Sequence, residues 1–200
     1  MPRRKPYHHG HLRKALLGAA IELIATVGSD GFTLREITRR AGVSHNAPYR
    51  HFRSKEDLIA AVAAQGFREL DHALCAAVQG IPGPMDRLKA SGLAYVAFAL
   101  RRPAHFAVMF DAPAGPRSNR ERNEAAEAAF GNLMKAVTDC LPEGRRGSDE
   151  PLNRALFAWS LVHGIAKLAI AGRLPHRGKA EVLKFTDSAI SEHLRKAFDD

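Results

Sequence analysis

Two hundred residues, 46% of them apolar, are enough for one ordinary domain or for a small one joined to a larger. No apolar run approaches the roughly 18 residues of a membrane span, and no apolar leader with a cleavage site follows the basic N-terminus, so a soluble cytoplasmic chain is expected. The formal charge of +9 is concentrated: residues 1–55 hold eleven Lys and Arg against three acids, a surplus of eight, and five of the ten histidines. A merely solvated basic surface would spread such a charge, whereas a basic module points to a polyanion, DNA before RNA or membrane.

Taken in chain order, the periodicity is helical throughout and no segment alternates like a strand. A basic arm (Arg3, Arg4, Lys5) with a His8-His9-Gly10-His11 cluster precedes the first helix. That helix runs from about Leu12 to Val27, with Leu12, Leu16, Ala19, Leu23 and Val27 on one stripe. After Gly28 and Gly31, Thr33 and Glu36 form a T-x-x-E capping box for a second helix, which carries Leu34, Ile37 and Ala41 inward and stops at Gly42. Ser44 begins a third, to about Phe52, and Ser54 caps a long fourth, reaching about Gly80.

The third helix contains Pro48. If Ser44 is its cap, Pro48 costs one intrahelical hydrogen bond; if Asn46 caps, the proline falls harmlessly in the first turn. An irregular start, with Pro48 fixing the angle, fits best. Beyond Ile81-Pro-Gly-Pro84 come helices over about 85–101, a short apolar segment from Pro103, then about 119–140, 152–171 and 179–198, making nine in all. Cys75 and Cys140 lack metal-ligand spacing and read as buried free thiols.

Two short helices joined across Ala41-Gly42-Val43-Ser44 have the dimensions of a helix-turn-helix. Ile37, Val43, Phe52 and part of Tyr49 supply apolar contacts. His45, Asn46, Arg50 and His51 are donors with little reason to face a core, and such residues suit a helix laid in a major groove.

At this point the residues are specific. T-x-x-x-I-x-x-x-A-G-V-S-x-x-x-x-Y-x-H-F-x-S-K-E-x-L, Thr33 to Leu58, resembles the DNA-binding signature of TetR-type transcriptional repressors over about residues 10–60. Asn46 stands where that family usually has glycine, and Pro48 where it has a larger apolar residue. The resemblance implies phosphate contacts from Thr33, Tyr49, His51 and Lys55, and base-edge contacts from Ser44, His45, Asn46 and Ala47. Asn46 would pair with adenine and His45 donate to guanine. Arg3, Arg4 and Lys5 would enter a minor groove or follow the backbone.

The rest of the chain is nearly neutral. The segment ALFAWSLVHGIAKLAIAG is apolar almost all round, so it needs cover on several sides. One stripe holds Leu156, Trp159, His163, Ala166 and Ile170. With the last helix it would build a four-helix interface between two subunits. Its W-x-x-x-H-G element, Trp159 to Gly164, resembles the C-terminal domain type (WHG) of one branch of the same family. Such repressors respond to small molecules, and Tyr95, Phe98, Phe106, Met109, Phe110, Phe130, Met134, Trp159 and His163 are candidate walls for a mostly apolar effector. The same aromatics and methionines at helical spacing also read as ordinary core.

The expected architecture is therefore all-α: a three-helix bundle with its helix-turn-helix at residues 1–55, then a helical effector-binding and dimerisation domain at 56–200. The expected function is repression of transcription by a homodimer, joined through about 152–171 and 179–198, on a palindromic duplex DNA operator. An effector-independent architectural DNA-binding protein is the alternative. Neither a cofactor nor a metal is called for. No phosphate loop, G-x-S-x-G, H-E-x-x-H or paired carboxylates on a buried face occurs, and Ser160 and His163 share a face without a third group to orient them, so no enzymatic activity is expected.

Overall fold

The structure is a computed structural model and describes residues 9–111, 119–176 and 178–199. Among these, all regular structure is helical: α1 (His9–Val27), α2 (Leu34–Arg40), α3 (Lys55–Ala77), α4 (Pro84–Arg101), α5 (Pro103–Phe110), α6 (Arg120–Cys140), α7 (Glu150–Ile170) and α8 (Lys179–Asp199). Single 3-10 turns occupy Pro48–Arg50 and Glu143–Arg145. No helix among the described residues is long and apolar enough to cross a membrane.

The all-α class and the order of the elements agree with expectation, but there are eight α-helices among the described residues rather than nine. The missing one is the third. An α-helix begun at Ser44 would need the amide of residue 48 to reach the Ser44 carbonyl, and proline has none. The carbonyl is taken instead by Ala47 N at 2.9 Å, and Arg50 N to Ala47 O at 3.3 Å and His51 N to Pro48 O at 2.8 Å continue the tighter i to i−3 pattern.

Two compact units are present. The first comprises Met1–Gly66 and Ala104–Glu124. Its core contains Leu16, Leu17, Ala20 and Ile24 of α1, Ile37 of α2, Leu58 and Val62 of α3, and Phe106, Val108 and Met109 of α5. Gly66 lets α5 come close: a Cβ there would stand 2.6 Å from Met109 Sδ and 3.3 Å from His105 Cβ. Val27, expected on the inward stripe of α1, is exposed. It is the last residue of the helix, and the chain turns away at Gly28, whose φ is 76°.

The second unit comprises Phe67–Pro103 and Ala125–Asp200. Here α4 packs along α7 and α8, which also pack on each other. Gly92 of α4 makes the approach close, since a Cβ would meet Ile190 Cδ1 at 2.8 Å and Val162 Cγ1 at 3.3 Å. Ala155, Ala158, Val162, Ile165 and Ala166 form the covered side of α7, and Val182, Thr186, Ile190 and Leu194 that of α8. Leu152, Leu156, Phe157, Leu168 and Ile170 leave an apolar side of α7 exposed in the single chain. Cys75 is exposed, contrary to expectation, and Cys140 is half-buried; both are free thiols. Burial and the neighbouring Asp139 push the Cys140 thiol up to about 11.

Candidate nucleic-acid interface

The site begins with a well-made helix start. The Thr33 amide donates to Glu36 Oε2 at 2.7 Å, the Thr33 hydroxyl donates to the same oxygen at 3.0 Å, and the Glu36 amide returns to Thr33 Oγ1 at 3.4 Å. These bonds from Thr33, backbone first and side chain second, hold the Glu36 carboxyl below its ordinary value, with Arg39 and Lys55 adding to the effect. Seven residues later α2 ends in a Schellman turn. Val43 N reaches Thr38 O at 3.0 Å, Gly42 N reaches Arg39 O at 3.3 Å, and Gly42 takes the required positive φ of 65°.

That turn aims the next segment. Pro48 and Phe52 are buried, and Ala47 is only 9% exposed, so these three tie the segment to the unit. Ser44, His45, Asn46, Tyr49 and Arg50 consequently face outward, and His51 is half-buried. Tyr49 is 55% exposed, so its ring and hydroxyl are open to solvent. Its ring lies 6.4 Å from that of His45 at 25°. Arg35 of α2 donates its Nε to His45 Nε2 at 3.1 Å.

Beneath the segment, Lys55 donates to the Asp30 carbonyl at 3.1 Å and sits 4.5 Å from the centre of the Phe32 ring. Arg13 of α1 stands 5.8 Å from the centre of the Phe52 ring. Ser54 caps α3 by accepting the Asp57 amide at 3.2 Å, and the first-turn acids Glu56 and Asp57 suit the helix dipole. Arg39, Arg40, Arg50 and Arg53 are exposed around these elements, with Arg40 paired to Glu22 at 2.6 Å.

Of the expected DNA contacts, Thr33, Ser44, His45, Asn46, Tyr49, His51 and Lys55 belong to this one unit, with Thr33 and Lys55 already engaged as described. Ala47 is the least accessible among them. Arg3, Arg4, Lys5 and His8 lie outside the described residues. Arg35 was not in the expected set; its tie to His45 spans ten positions and a turn, a relation that periodicity does not reveal.

The residues proposed to wall an effector site fall into two groups. Phe106, Met109 and Phe110 belong to the first unit, where the Phe106 and Phe110 rings are 4.9 Å apart. Tyr95, Phe98, Phe130, Met134, Trp159 and His163 belong to the second. There Trp159 Nε1 donates to the Tyr95 hydroxyl at 3.1 Å, and that hydroxyl lies 2.9 Å from His163 Nδ1. The Phe130 ring meets Trp159 edge-on at 6.1 Å. Phe98 is fully buried, and Met134 is half-buried. Burial also holds the Tyr95 hydroxyl well above its usual range.

A capped helix, a Schellman turn and an outward polar segment define a helix-turn-helix DNA-binding protein. Comparison with known proteins agrees. A model of bacterial regulatory proteins of the tetR family matches residues 16–62, and one of a tetracyclin repressor-like C-terminal domain matches residues 88–191. The HTH-type transcriptional regulator BetI of Agrobacterium fabrum is 35% identical over 86 residues, 43% of this chain. That alignment spans only 41% of BetI itself. A solved protein of unknown function from Rhodococcus sp. RHA1 is 34% identical, with a TM-score of 0.78 over 97% of both chains. FadR from Bacillus subtilis, solved in complex with stearoyl-CoA, shares the fold at 15% identity, with a TM-score of 0.71 over 89% of this chain and 95% of that one. The chain belongs to the TetR family of transcriptional regulators.

Proposed function

We propose that the protein is a homodimeric repressor that occupies a palindromic operator and leaves it when a small, mostly apolar effector binds. The observation that carries this reading is the outward polar edge of residues 44–51, set in a module that holds a surplus of eight of the chain's net nine positive charges. Residues 1–55 act as the DNA-binding module and residues 56–200 as the effector-binding and dimerisation domain. One such short segment contacts too few base pairs to select a site. Two related by a dyad read a palindrome, with half-sites about 34–36 Å apart or a multiple of that.

In this reading Ser44, His45 and Asn46 meet base edges. Tyr49, His51, Thr33 and Lys55 meet phosphates, the Thr33 hydroxyl exchanging its bond to Glu36 for one to the backbone. Arg3, Arg4 and Lys5 follow a neighbouring groove. Ala47 holds the turn against the unit, and its near-complete burial supports that role. The exposed apolar side of α7 supports a partner subunit there, with α8 completing a four-helix interface.

Effector binding in the second unit, among Tyr95, Phe98, Phe130, Met134, Trp159 and His163, or in the first, at Phe106, Met109 and Phe110, shifts α3, and the two recognition segments lose their match to the groove spacing. Coupling of about 1–3 kcal/mol releases DNA five- to 150-fold. The stearoyl-CoA held by the neighbouring fold supports an effector with a long apolar part. The protein acts in the cytoplasm, without catalysis and without a cofactor.

Selection of sites from random duplexes by the purified protein tests this. A palindromic consensus, with affinity falling steeply as salt rises, is expected, and Lys55→Ala should lower the salt slope by about one without altering the consensus. Salt-independent binding or the absence of any consensus would overturn it.

A further inference from the structure

We infer that Arg35 is a specificity-determining residue that acts by setting the tautomer of His45. This inference rests on the DNA-binding reading and goes beyond it. Two observations carry it. Arg35 Nε donates to His45 Nε2 at 3.1 Å, and the His45 ring stacks on Tyr49 at 6.4 Å and 25°. A guanidinium is donor-only, so the nitrogen that meets it must be an acceptor. The imidazole is then neutral, and its single proton sits on Nδ1.

The consequence is chemical. An imidazole in water offers either a donor or an acceptor at a given nitrogen, and so reads a base edge ambiguously. With Nε2 engaged by Arg35, the remaining nitrogen is a donor only. In the major groove a lone donor selects acceptors such as guanine O6 and N7, and is mismatched to the cytosine amino group. His45 and Arg35 are both exposed, so this polarity is available to a ligand. The Nε bond also leaves the two Nη groups of Arg35 for a phosphate beside the same base. Arg35 therefore positions, and His45 reads.

Two experiments test the pair. First, two-dimensional nitrogen–proton spectra of the His45 ring in the free, full-length protein report the tautomer directly. The wild type should show the Nδ1–H form, and Arg35→Ala should shift the ring toward Nε2–H. Wild type and variant with the same tautomer would overturn the positioning role whatever the DNA does. Second, sites are selected from random duplexes by wild type, Arg35→Ala, His45→Ala and the double variant, with Lys55→Ala as the phosphate control.

Arg35→Ala and His45→Ala should weaken the discrimination against cytosine at the same half-site position, each by about five- to tenfold. The double variant should lose little more, because the two residues act as one. Arg35→Ala that lowers affinity equally at all sequences, as Lys55→Ala should, reduces Arg35 to a phosphate contact and sinks the inference. Loss of preference at a different position from His45→Ala sinks it too. A wild type that enriches no sequence removes the DNA reading itself, and the spectra alone then tell whether the pair exists.

Discussion

Arg13 in α1 binds Glu121 in α6 across 108 positions of sequence, with its Nη2 3.0 Å from Oε1 and 3.1 Å from Oε2. The same guanidinium lies 5.8 Å from the centre of the Phe52 ring, so one side chain of α1 reaches both the end of the 44–52 segment and the start of α6. Both members of the ion pair are more than a third exposed, so solvent screens it. A double-mutant cycle of Arg13→Ala and Glu121→Ala should give a coupling of about 0.2–1 kcal/mol, shrinking as salt is raised. A larger, salt-insensitive coupling would show that the pair is far less screened than its exposure implies.

The capping box should make the stability of α2 depend on pH. Thr33→Ala should cost about 1 kcal/mol near neutrality, measured by denaturant midpoint. The Glu36 carboxyl is depressed in the folded state, so its contribution is present above the ordinary value of 4.5 and is lost as pH falls through the folded value. The gap between wild type and Thr33→Ala should therefore narrow on the acid side. A gap independent of pH would mean that the Thr33 hydroxyl does not act through the carboxylate.

Tyr95 is the shared partner of Trp159 and His163 between α4 and α7. Removing its hydroxyl in Tyr95→Phe should destabilise the protein by about 1–3 kcal/mol. Because the folded hydroxyl is raised above the ordinary value of 10.0, its contribution is complete below that pH and fades as pH climbs beyond it. Thermal melts of the two proteins should converge in strong alkali. Equal stability at neutral pH would remove the network from any account of the second unit.

Two glycines should answer oppositely to alanine. At Gly18 of α1 an added methyl meets nothing within 4 Å, so the helix gains about 0.5–1 kcal/mol. At Gly66 the same gain in propensity competes with Met109 Sδ at 2.6 Å and His105 Cβ at 3.3 Å, both on buried residues. Overpacking of that kind costs about 1–3 kcal/mol, so Gly66→Ala should be the less stable variant. Equal stabilisation by both would mean that α5 yields freely.

Leu156 and Phe157 are 41% and 44% exposed, on the side of α7 away from Ala155 and Ala158. Burying two such side chains against a partner contributes about 1.5–3 kcal/mol each. Leu156→Glu with Phe157→Glu should leave the helical spectrum intact and convert the proposed dimer to monomer in sedimentation, with affinity for the proposed operator lost in parallel. A variant that stays dimeric would place the interface elsewhere.

Much of this was legible in the chain because it is local. Thr33 to Glu36, Gly42 after α2, and Ser54 before Glu56 and Asp57 are short-range instructions, and each appears in the structure as a cap or a turn. The charge surplus of the first 55 residues and the outward donors His45, Asn46 and Arg50 were likewise readable, because composition and spacing are enough to state them.

Other features needed the fold. Pro48 announces an irregularity, yet whether it ends, bends or replaces a helix depends on where Ala47 and Phe52 are held, and the outcome is a 3-10 turn. An apolar stripe on α7 cannot say which half is covered within the chain; packing against α4 and α8 buries Ala155, Val162 and Ile165 and leaves Leu156 and Phe157 outside. The membership of Ala104–Glu124 in the first unit, and the ties of Arg13 to Glu121 and Arg35 to His45, join residues that no period connects. Outside the Pro48 segment, sequence alone dictated the helices and roughly where they end, since those follow from interactions within a few residues. Tertiary structure chose the partners, since burial is a property of the surfaces that meet.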